Sequence, residues 1–342
     1  MDLQSSTKRA KKGVKHKNRA DKITLKRGKM HYTLLIATQD SAGLVYKISR
    51  ILYQAGANIE RQDEYVDREN GLFFMRTSFV LDSPKASENP TLESRQDLPL
   101  DLPHGTDSHI STHSEKLDFA LQATIQSKLK SALPHGAKIS LKKAGKKSLI
   151  ILATKENHCL GDLLLRQESG ELNTQIKAVI ANRVELKSLV ERFSIPFFWV
   201  DSDGISREEH EQKICEIIER FSPDLLALAK YMRILSSDFT SRYEGKIINI
   251  HHSFLPAFIG ANPYKQAHTR GVKIIGATAH FVTNELDEGP IIAQDIIHIN
   301  HTYSWQDMQK AGRDVEKSVF AHALDLVLHD RVFINGNKTI VF

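Results

Sequence analysis

The order of apolar runs and helical stripes in the first third of the chain predicts a small unit of strands and helices. An apolar run at 32–37 is typical of a buried strand. The apolar positions of 45–52 then recur at helical spacing, and Gly56 is a natural stop for that helix. Two more strands are predicted at 59–66 and 72–80.

Residues 83–116 interrupt this pattern. They contain four of the ten prolines, many Ser, His and Asp residues and no periodicity, which predicts a flexible surface insertion. A helical stripe at 117–129 and a strand at 137–141 follow. The order β-α-β-β-α-β therefore predicts a sandwich of one sheet and two helices over residues 31–142.

A polar hinge at 142–147 separates this unit from a longer one, which we expect to cover 148–342. Beyond the hinge, short apolar strands alternate with helical stretches. That alternation predicts an α/β fold with a doubly wound, mostly parallel, Rossmann-like sheet. A hairpin around Asn335-Gly336 is expected near the end. The predicted strands are 149–153, 176–181, 196–200, 225–229, 247–250 and 275–282.

Composition narrows the class of protein. The chain has 342 residues, 41% hydrophobic and 26% charged, without an apolar run of about 18 residues, so we expect a globular protein and no membrane contact. Two cysteines cannot form a disulfide framework, and a cytoplasmic protein is expected.

Charge is unevenly distributed. The net charge is +6, but residues 1–29 hold eleven Lys and Arg against two Asp, so the remaining chain is slightly acidic. Residues 1–30 therefore predict a disordered basic extension. Three interpretations of this extension stay open: a solvated tail, a contact with RNA or another polyanion, and a targeting segment. The folded part of the chain is not expected to bind nucleic acid.

Polar residues follow two of the predicted strands. Asn249 and His251 are two positions apart, so that in an extended chain their side chains lie on one face. His280 and Asp287 follow the strand around 277. Because ligand sites form at the carboxyl ends of parallel strands, we expect an amide, an imidazole and a carboxylate to converge there.

Such a trio suits attack on a carbonyl. An imidazolium and an amide N–H can stabilise a developing oxyanion, and a carboxylate can take a proton from water or an amine. From spacing alone, ordinary turn chemistry stays an alternative. Zinc at His251, His252 and His280 is not expected, because adjacent residues point to opposite faces of an extended chain. Cys159 is expected to be a packed side chain, since no neighbouring base is evident.

Four strings of residues carry a resemblance to a known family. They read LAKYMRIL at 228–235, NIHHSFLPAFIGANP at 249–263, GATAHFV at 276–282 and DEGPIIAQ at 287–294. Together they resemble the formyltetrahydrofolate-dependent formyltransferase fold over about 148–342. The resemblance implies a catalytic set of Asn249, His251 and Asp287 that works without metal or cofactor. It also implies these substrate-binding positions: Met232, Arg233, Leu235, His280 and Asn284.

The first unit resembles an ACT domain, an amino-acid-sensing module. The resemblance rests on Asp40-Ser-Ala-Gly43 followed by Gly56-Ala-Asn58-Ile59. It implies a possible effector, glycine or methionine, near Asp40, Gly43, Asn58 and Ile59, and a homo-oligomer. A structural interpretation stays open, in which Asp40 caps a helix and Asn58 starts a strand.

An ACT domain ahead of this catalytic domain is similar to the layout of the formyltetrahydrofolate deformylases. The resemblance implies hydrolysis of 10-formyltetrahydrofolate to tetrahydrofolate and formate, which would supply purine synthesis. Transfer to glycinamide ribonucleotide is disfavoured, because Glu156 and His158 stand where a phosphate-binding turn is expected. Transfer to methionyl-tRNA is also disfavoured. A regulatory protein with an inactive catalytic domain is not expected either, because Asn249, His251 and Asp287 are all present. Transfer to an amine acceptor without phosphate is the remaining alternative.

Overall fold

The computed structural model describes residues 29–82, 113–257 and 263–342. The predicted basic extension and most of the predicted insertion lie outside these ranges. No helix within them is long and apolar enough to span a membrane.

The N-terminal unit is a four-stranded antiparallel sheet with two helices. Its strands lie in the order β2-β3-β1-β4, and the chain order is the predicted β-α-β-β-α-β. The second helix begins at His113, so the last residues of the predicted insertion are helical. The elements are β1 (Lys29–Gln39), α1 (Leu44–Gln54), β2 (Asn58–Asp67), β3 (Leu72–Asp82), α2 (His113–Ala132) and β4 (Lys138–Lys143).

One face of this sheet packs against the helices. Alternate residues of β1 are buried, among them Leu34 and Ile36, and they share one hydrophobic core with residues of both helices, Ile48, Leu52 and Leu129. This period of two is what a sheet with one covered face requires.

The suggestion that Asp40 caps α1 is wrong. The N-cap residue is Gly43, which has φ of 83° and makes no side-chain capping bond. Glycine reaches this left-handed conformation without the steric cost that a Cβ brings. The turn before α1 is instead attached to the sheet, because the backbone N–H of Asp40 donates to the carbonyl of Gly71.

The second unit contains a seven-stranded sheet and a separate C-terminal hairpin. The change of sheet occurs between Lys143 and Lys147, within the predicted hinge. The elements are β5 (Lys147–Ala153), α3 (His158–Ser169), β6 (Thr174–Ala181), α4 (Lys187–Glu191), β7 (Phe197–Trp199), α5 (Arg207–Phe221), β8 (Leu225–Ala229), α6 (Ser237–Arg242), β9 (Ile247–His251), α7 (Pro263–Arg270), β10 (Ile274–Phe281), β11 (Ile291–His298), α8 (Trp305–Leu328), β12 (Val332–Asn335) and β13 (Lys338–Val341).

The large sheet has the order β11-β10-β9-β8-β5-β6-β7. Five neighbouring strands, β9 to β7 in that order, are parallel, whereas β10 and β11 are antiparallel at one edge. The predicted α/β class and mostly parallel sheet are confirmed. The prediction omitted β11. Apolar and polar residues do not alternate regularly along this strand, which lies at the edge of the sheet and has several exposed residues.

Both faces of the large sheet are covered. Ile151 of β5 packs towards α3 and α8, where it joins a core that contains Leu163 and Phe320. Its neighbour Ile150 belongs to the core on the opposite face, together with Ile214 of α5. Alternate residues of one strand therefore supply two hydrophobic layers, as expected for a doubly wound sheet.

The N-terminal sheet is attached to the chain that follows α8. Arg76 is buried, and its guanidinium donates to the carbonyl oxygens of His329 and Asp330 at 3.0 Å. The Asp330 carboxylate accepts from Lys142 and Lys147, both at 2.7 Å. One short segment thus connects the antiparallel sheet, the hinge and the long helix.

Candidate active site

All predicted catalytic and substrate-binding residues line one cavity of about 500 Å³, which we call the reaction cavity. It lies beside the carboxyl ends of β8 and β9, next to the point at which the chain order reverses between β5 and β8. That is the usual ligand position in open α/β sheets. The predicted residues found in its lining are Asn249, His251, Asp287, Met232, Arg233, Leu235, His280 and Asn284.

The route by which His280 and Asp287 reach the cavity differs from the prediction. We expected both polar segments to leave carboxyl ends of parallel strands, but β10 runs antiparallel to β9 and pairs His280 directly with Asn249. The chain then turns back, with φ of 58° at Asp287. Gly289 permits this return, because a Cβ there would lie 1.8 Å from the carbonyl oxygen of Phe281.

His251 is held by Asp287. Its Nδ1 lies 3.2 Å from the Asp287 carboxylate, and because a carboxylate only accepts, Nδ1 carries the hydrogen. Burial raises the pKa of Asp287, but the hydrogen bond from His251 and the attraction of the nearby histidines lower it below its usual range. The other ring nitrogen, Nε2, is buried and makes no hydrogen bond to any residue that the structure describes. That atom is therefore available to a ligand.

His280 orients the amide of Asn249. Its Nδ1 donates to the carbonyl of Phe281 at 2.9 Å, and burial lowers the pKa of the ring, so that Nε2 has a free lone pair. Nε2 accepts from the Asn249 amide nitrogen at 3.2 Å. One N–H of Asn249 is thus fixed, and the second can be offered to a bound oxygen.

The expected geometry of His252 is wrong. Instead of pointing away from His251, its ring stacks on that of His251, with centroids 5.0 Å apart and 16° between the planes. The strand ends at His251, so the alternation of an extended chain does not continue. Burial and the charge of Lys230 lower the pKa of His252 to about 4, which leaves the ring neutral.

Apolar side chains surround the opening of the reaction cavity. Met232, Ile234 and Leu286 are each more than half exposed, which suits contact with a flat aromatic ligand. The segment after β8 is anchored because the N–H of Met232 donates to Thr154 at 3.0 Å. The amide oxygen of Asn284 accepts from the hydroxyl of Thr240, which orients that amide at the cavity wall.

A buried charged network next to this cavity was not predicted as part of the site. The carboxylate of Glu316 accepts from His158 at 2.8 Å and from Tyr264 at 2.7 Å, and Lys230 lies 3.2 Å away. Burial opposes ionisation of Glu316, but His158 and Lys230 outweigh it and lower its pKa to about 2. Two features of the sequence could have indicated this network. Glu316 is a charged residue among the apolar positions of α8, and Lys230 directly follows the apolar strand β8.

Among the described residues, one cluster of side chains has the spacing of metal ligands, and it includes two members of this network. Ligand atoms of His158, Cys159 and Glu316 all lie within 4.8 Å of one another. However, Glu316 is already bound by His158 and Lys230, and burial raises the pKa of the Cys159 thiol. A protonated thiol and an ammonium group beside the carboxylate are a poor donor set for a cation.

Comparison with known proteins identifies the family. Residues 147–324 match the family described as formyl transferase. A formyltetrahydrofolate deformylase of Escherichia coli O6:H1 is 48% identical over 302 residues, which are 88% of this chain and 95% of that protein. The corresponding protein of Bacillus subtilis is 40% identical over 90% of this chain and 93% of its own length. The chain belongs to the formyltetrahydrofolate deformylase family.

The likeness to formyltetrahydrofolate deformylases extends to the three-dimensional structure and to both units. The crystal structure of a formyltetrahydrofolate deformylase from Pseudomonas syringae pv. tomato is 36% identical and superposes with a TM-score of 0.78. The match covers 92% of this chain and 95% of the other. The antiparallel N-terminal sheet is therefore a shared part of the family's architecture.

Only two of the four suggested effector residues share a cavity in this member of the deformylase family. Asp40 and Gly43 line a cavity of about 290 Å³ between the turn before α1 and the strands β2 and β3. Asn58 is exposed and Ile59 packs against the N-terminal core, so neither belongs to that lining.

Proposed function

We propose that this protein hydrolyses 10-formyltetrahydrofolate to tetrahydrofolate and formate. The observation that carries the proposal is the unpartnered Nε2 of His251, whose ring is held by Asp287 and which lines the same cavity as the oriented amide of Asn249. Family membership supports the substrate. A reaction cavity of about 500 Å³ is within the range of about 300–1,000 Å³ that organic ligands of this size occupy.

In the proposed mechanism, water attacks the formyl carbon. Asp287, ionised because its pKa is low, orients the water and takes its proton. The imidazolium form of His251 donates through Nε2–H and Asn249 donates through its free N–H, and both stabilise the formyl oxygen as negative charge develops on it. The tetrahedral intermediate then loses the C–N bond, N10 receives one proton, and formate and a second proton are released.

Water as the acceptor is supported by the network beside the reaction cavity. Glu316, His158, Tyr264 and Lys230 occupy the interior next to the reaction cavity, and the last three all bind the Glu316 carboxylate. The cavity that Glu316, Tyr264 and Lys230 border has a volume of about 150 Å³, which is below the range of about 300–1,000 Å³ that organic ligands need. The reaction as proposed requires folate and water and no further cofactor.

The N-terminal unit is proposed to be an ACT-like regulatory domain over 31–142, ahead of a catalytic domain over 148–342. A small amino acid such as glycine or methionine would bind at the cavity of Asp40 and Gly43. The strand β2 forms an edge of its sheet, and pairing of such edges would produce a homo-oligomer. Formate released in the cytoplasm would supply purine synthesis.

The test uses the full-length protein with 10-formyltetrahydrofolate and no amine acceptor. Formate and tetrahydrofolate are expected in equal amounts, and the Asp287→Asn variant should lose activity by about 10²–10⁴-fold. Glu288→Gln is the matched control, since it makes the same chemical change at an exposed carboxylate of the same loop.

Tight folate binding without formate release would contradict hydrolysis. Transfer to an amine acceptor without phosphate would then be the explanation to test. A screen of amine acceptors in the same assay would identify it, because tetrahydrofolate would appear only when an acceptor is added.

A further inference from the structure

A second cavity of about 150 Å³, which we call the side cavity, lies beside the reaction cavity. Its outer part is formed by exposed or half-buried residues, Lys265, Trp305 and Arg313, where the Lys265 ammonium lies 4.8 Å from the centre of the Trp305 ring. Its inner part is formed by the buried side chains of Lys230 and Glu316. The side cavity therefore leads from solvent into the interior.

The inner end of the side cavity meets the reaction cavity. The two cavities share Lys230, Met232 and His252 in their linings. The His252 ring stacks on His251 at 5.0 Å between centroids, so the side cavity begins one ring away from the proposed oxyanion-binding group.

Charge and size suit a small anion. Among the described residues, the side cavity is lined by three cations, Lys230, Lys265 and Arg313, and by two carboxylates, Glu156 and Glu316. With a neutral His252, the lining has a net charge of +1, which one monoanion would balance. Its volume is below the range of about 300–1,000 Å³ that organic ligands need, so a sugar phosphate or a folate does not fit.

We propose that the side cavity is the binding compartment and exit route for formate. This inference rests on the proposed hydrolysis, which produces a carboxylate of three heavy atoms next to His251. While a folate fills the reaction cavity, formate can move past His252 into the side cavity, where the net positive charge of the lining attracts it. Formate therefore binds while the folate site is occupied.

The test measures binding of ¹³C-formate to the full-length protein saturated with tetrahydrofolate, by line broadening of the formate NMR signal. Gln309 lines the side cavity, and Gln309→Glu adds a negative charge that should weaken formate binding about three- to tenfold. Gln306→Glu is the matched control, because it makes the same change at an exposed position of the same helix.

A second pair of variants removes a positive charge. Arg313→Gln should weaken formate binding by a similar factor, whereas Lys310→Gln, an exposed residue of α8 outside the side cavity, should not. In steady-state assays, formate should inhibit hydrolysis noncompetitively against 10-formyltetrahydrofolate, since the two ligands occupy different cavities.

Formate binding that is absent in the presence of tetrahydrofolate would overturn the proposal. Equal effects of Gln309→Glu and Gln306→Glu, or purely competitive inhibition by formate, would overturn it as well. Failure of the proposed function is recognised separately, because the NMR titration needs no turnover. A protein that binds formate in the side cavity but releases none from 10-formyltetrahydrofolate would refute hydrolysis alone.

Discussion

The carboxylate of Asp287 lies 3.2 Å from Nδ1 of His251. This contact determines which nitrogen of His251 can bind a ligand, because Nδ1 is engaged by Asp287 whereas Nε2 has no partner among the described residues. The pair also holds the proposed base and the proposed oxyanion donor next to each other in the lining of the reaction cavity.

His251→Gln should lower kcat for formate release by about 10²–10³-fold, while KM changes little, because the lost interaction is made mainly with the developing oxyanion. Steady-state kinetics at saturating 10-formyltetrahydrofolate would measure both constants. His268→Gln, at an exposed histidine of α7, is the control and should behave as the unmodified protein. A large increase of KM with unchanged kcat would place His251 in ground-state binding instead.

Gly289→Ala should abolish most of the activity without removing any proposed catalytic group. A Cβ at this position would lie 1.8 Å from the Phe281 carbonyl oxygen, so the loop that carries Asp287 must move. Even a displacement of about 1 Å can cost about 10²-fold in rate. Gly145→Ala is the control, since its Cβ would meet no atom within 4 Å. Normal activity of Gly289→Ala would show that the loop tolerates the shift.

Glu316 should contribute to stability in a pH-dependent way. Its pKa is about 2 in the folded protein and 4.5 without the network, so the ionised form stabilises the fold above pH 4.5. That contribution, on the order of 3 kcal/mol, is lost as the pH falls from about 5 towards 2.

Urea unfolding at pH 7 and at pH 3.5 would measure this contribution. Glu316→Gln should lower the free energy of unfolding strongly at pH 7 and by roughly 1 kcal/mol less at pH 3.5, where the carboxylate of the unmodified protein has lost part of its stabilising contribution. Glu288→Gln, at an exposed carboxylate, serves as the control. A constant difference between the two pH values would contradict the assignment of the low pKa to Glu316.

Arg76→Leu should weaken the attachment of the N-terminal sheet to the segment after α8. The buried guanidinium donates to the carbonyls of His329 and Asp330, and such charged hydrogen bonds contribute about 1.5–3 kcal/mol each. We expect a lower midpoint of thermal unfolding, measured by calorimetry, with the two units beginning to unfold separately. Arg61→Leu removes a more exposed arginine from the same sheet and should have little effect.

The sequence predicted the local elements well because their signals are local. Short apolar runs gave strand positions such as 225–229, which is the observed extent of β8, and the turn residues Asn335-Gly336 marked the final hairpin. The same-face relation of Asn249 and His251 follows from the period of two within one strand, and both side chains line the reaction cavity.

Strand direction could not be obtained in this way. An apolar run has no direction, so the antiparallel course of β10 and the pairing of His280 with Asn249 depend on how the chain crosses the sheet. The stacking of His252 on His251 likewise depends on the point at which β9 ends, which pairing with neighbouring strands decides.

By itself, the sequence determined the two-unit α/β organisation, the position of most strands and the residues that carry the family resemblance. Only the tertiary structure decided which side chains bind Glu316, because its partners His158, Lys230 and Tyr264 come from three other segments of the chain. A buried charge is tolerated only where such partners converge. That convergence, and with it the side cavity next to the reaction cavity, is a property of the assembled fold.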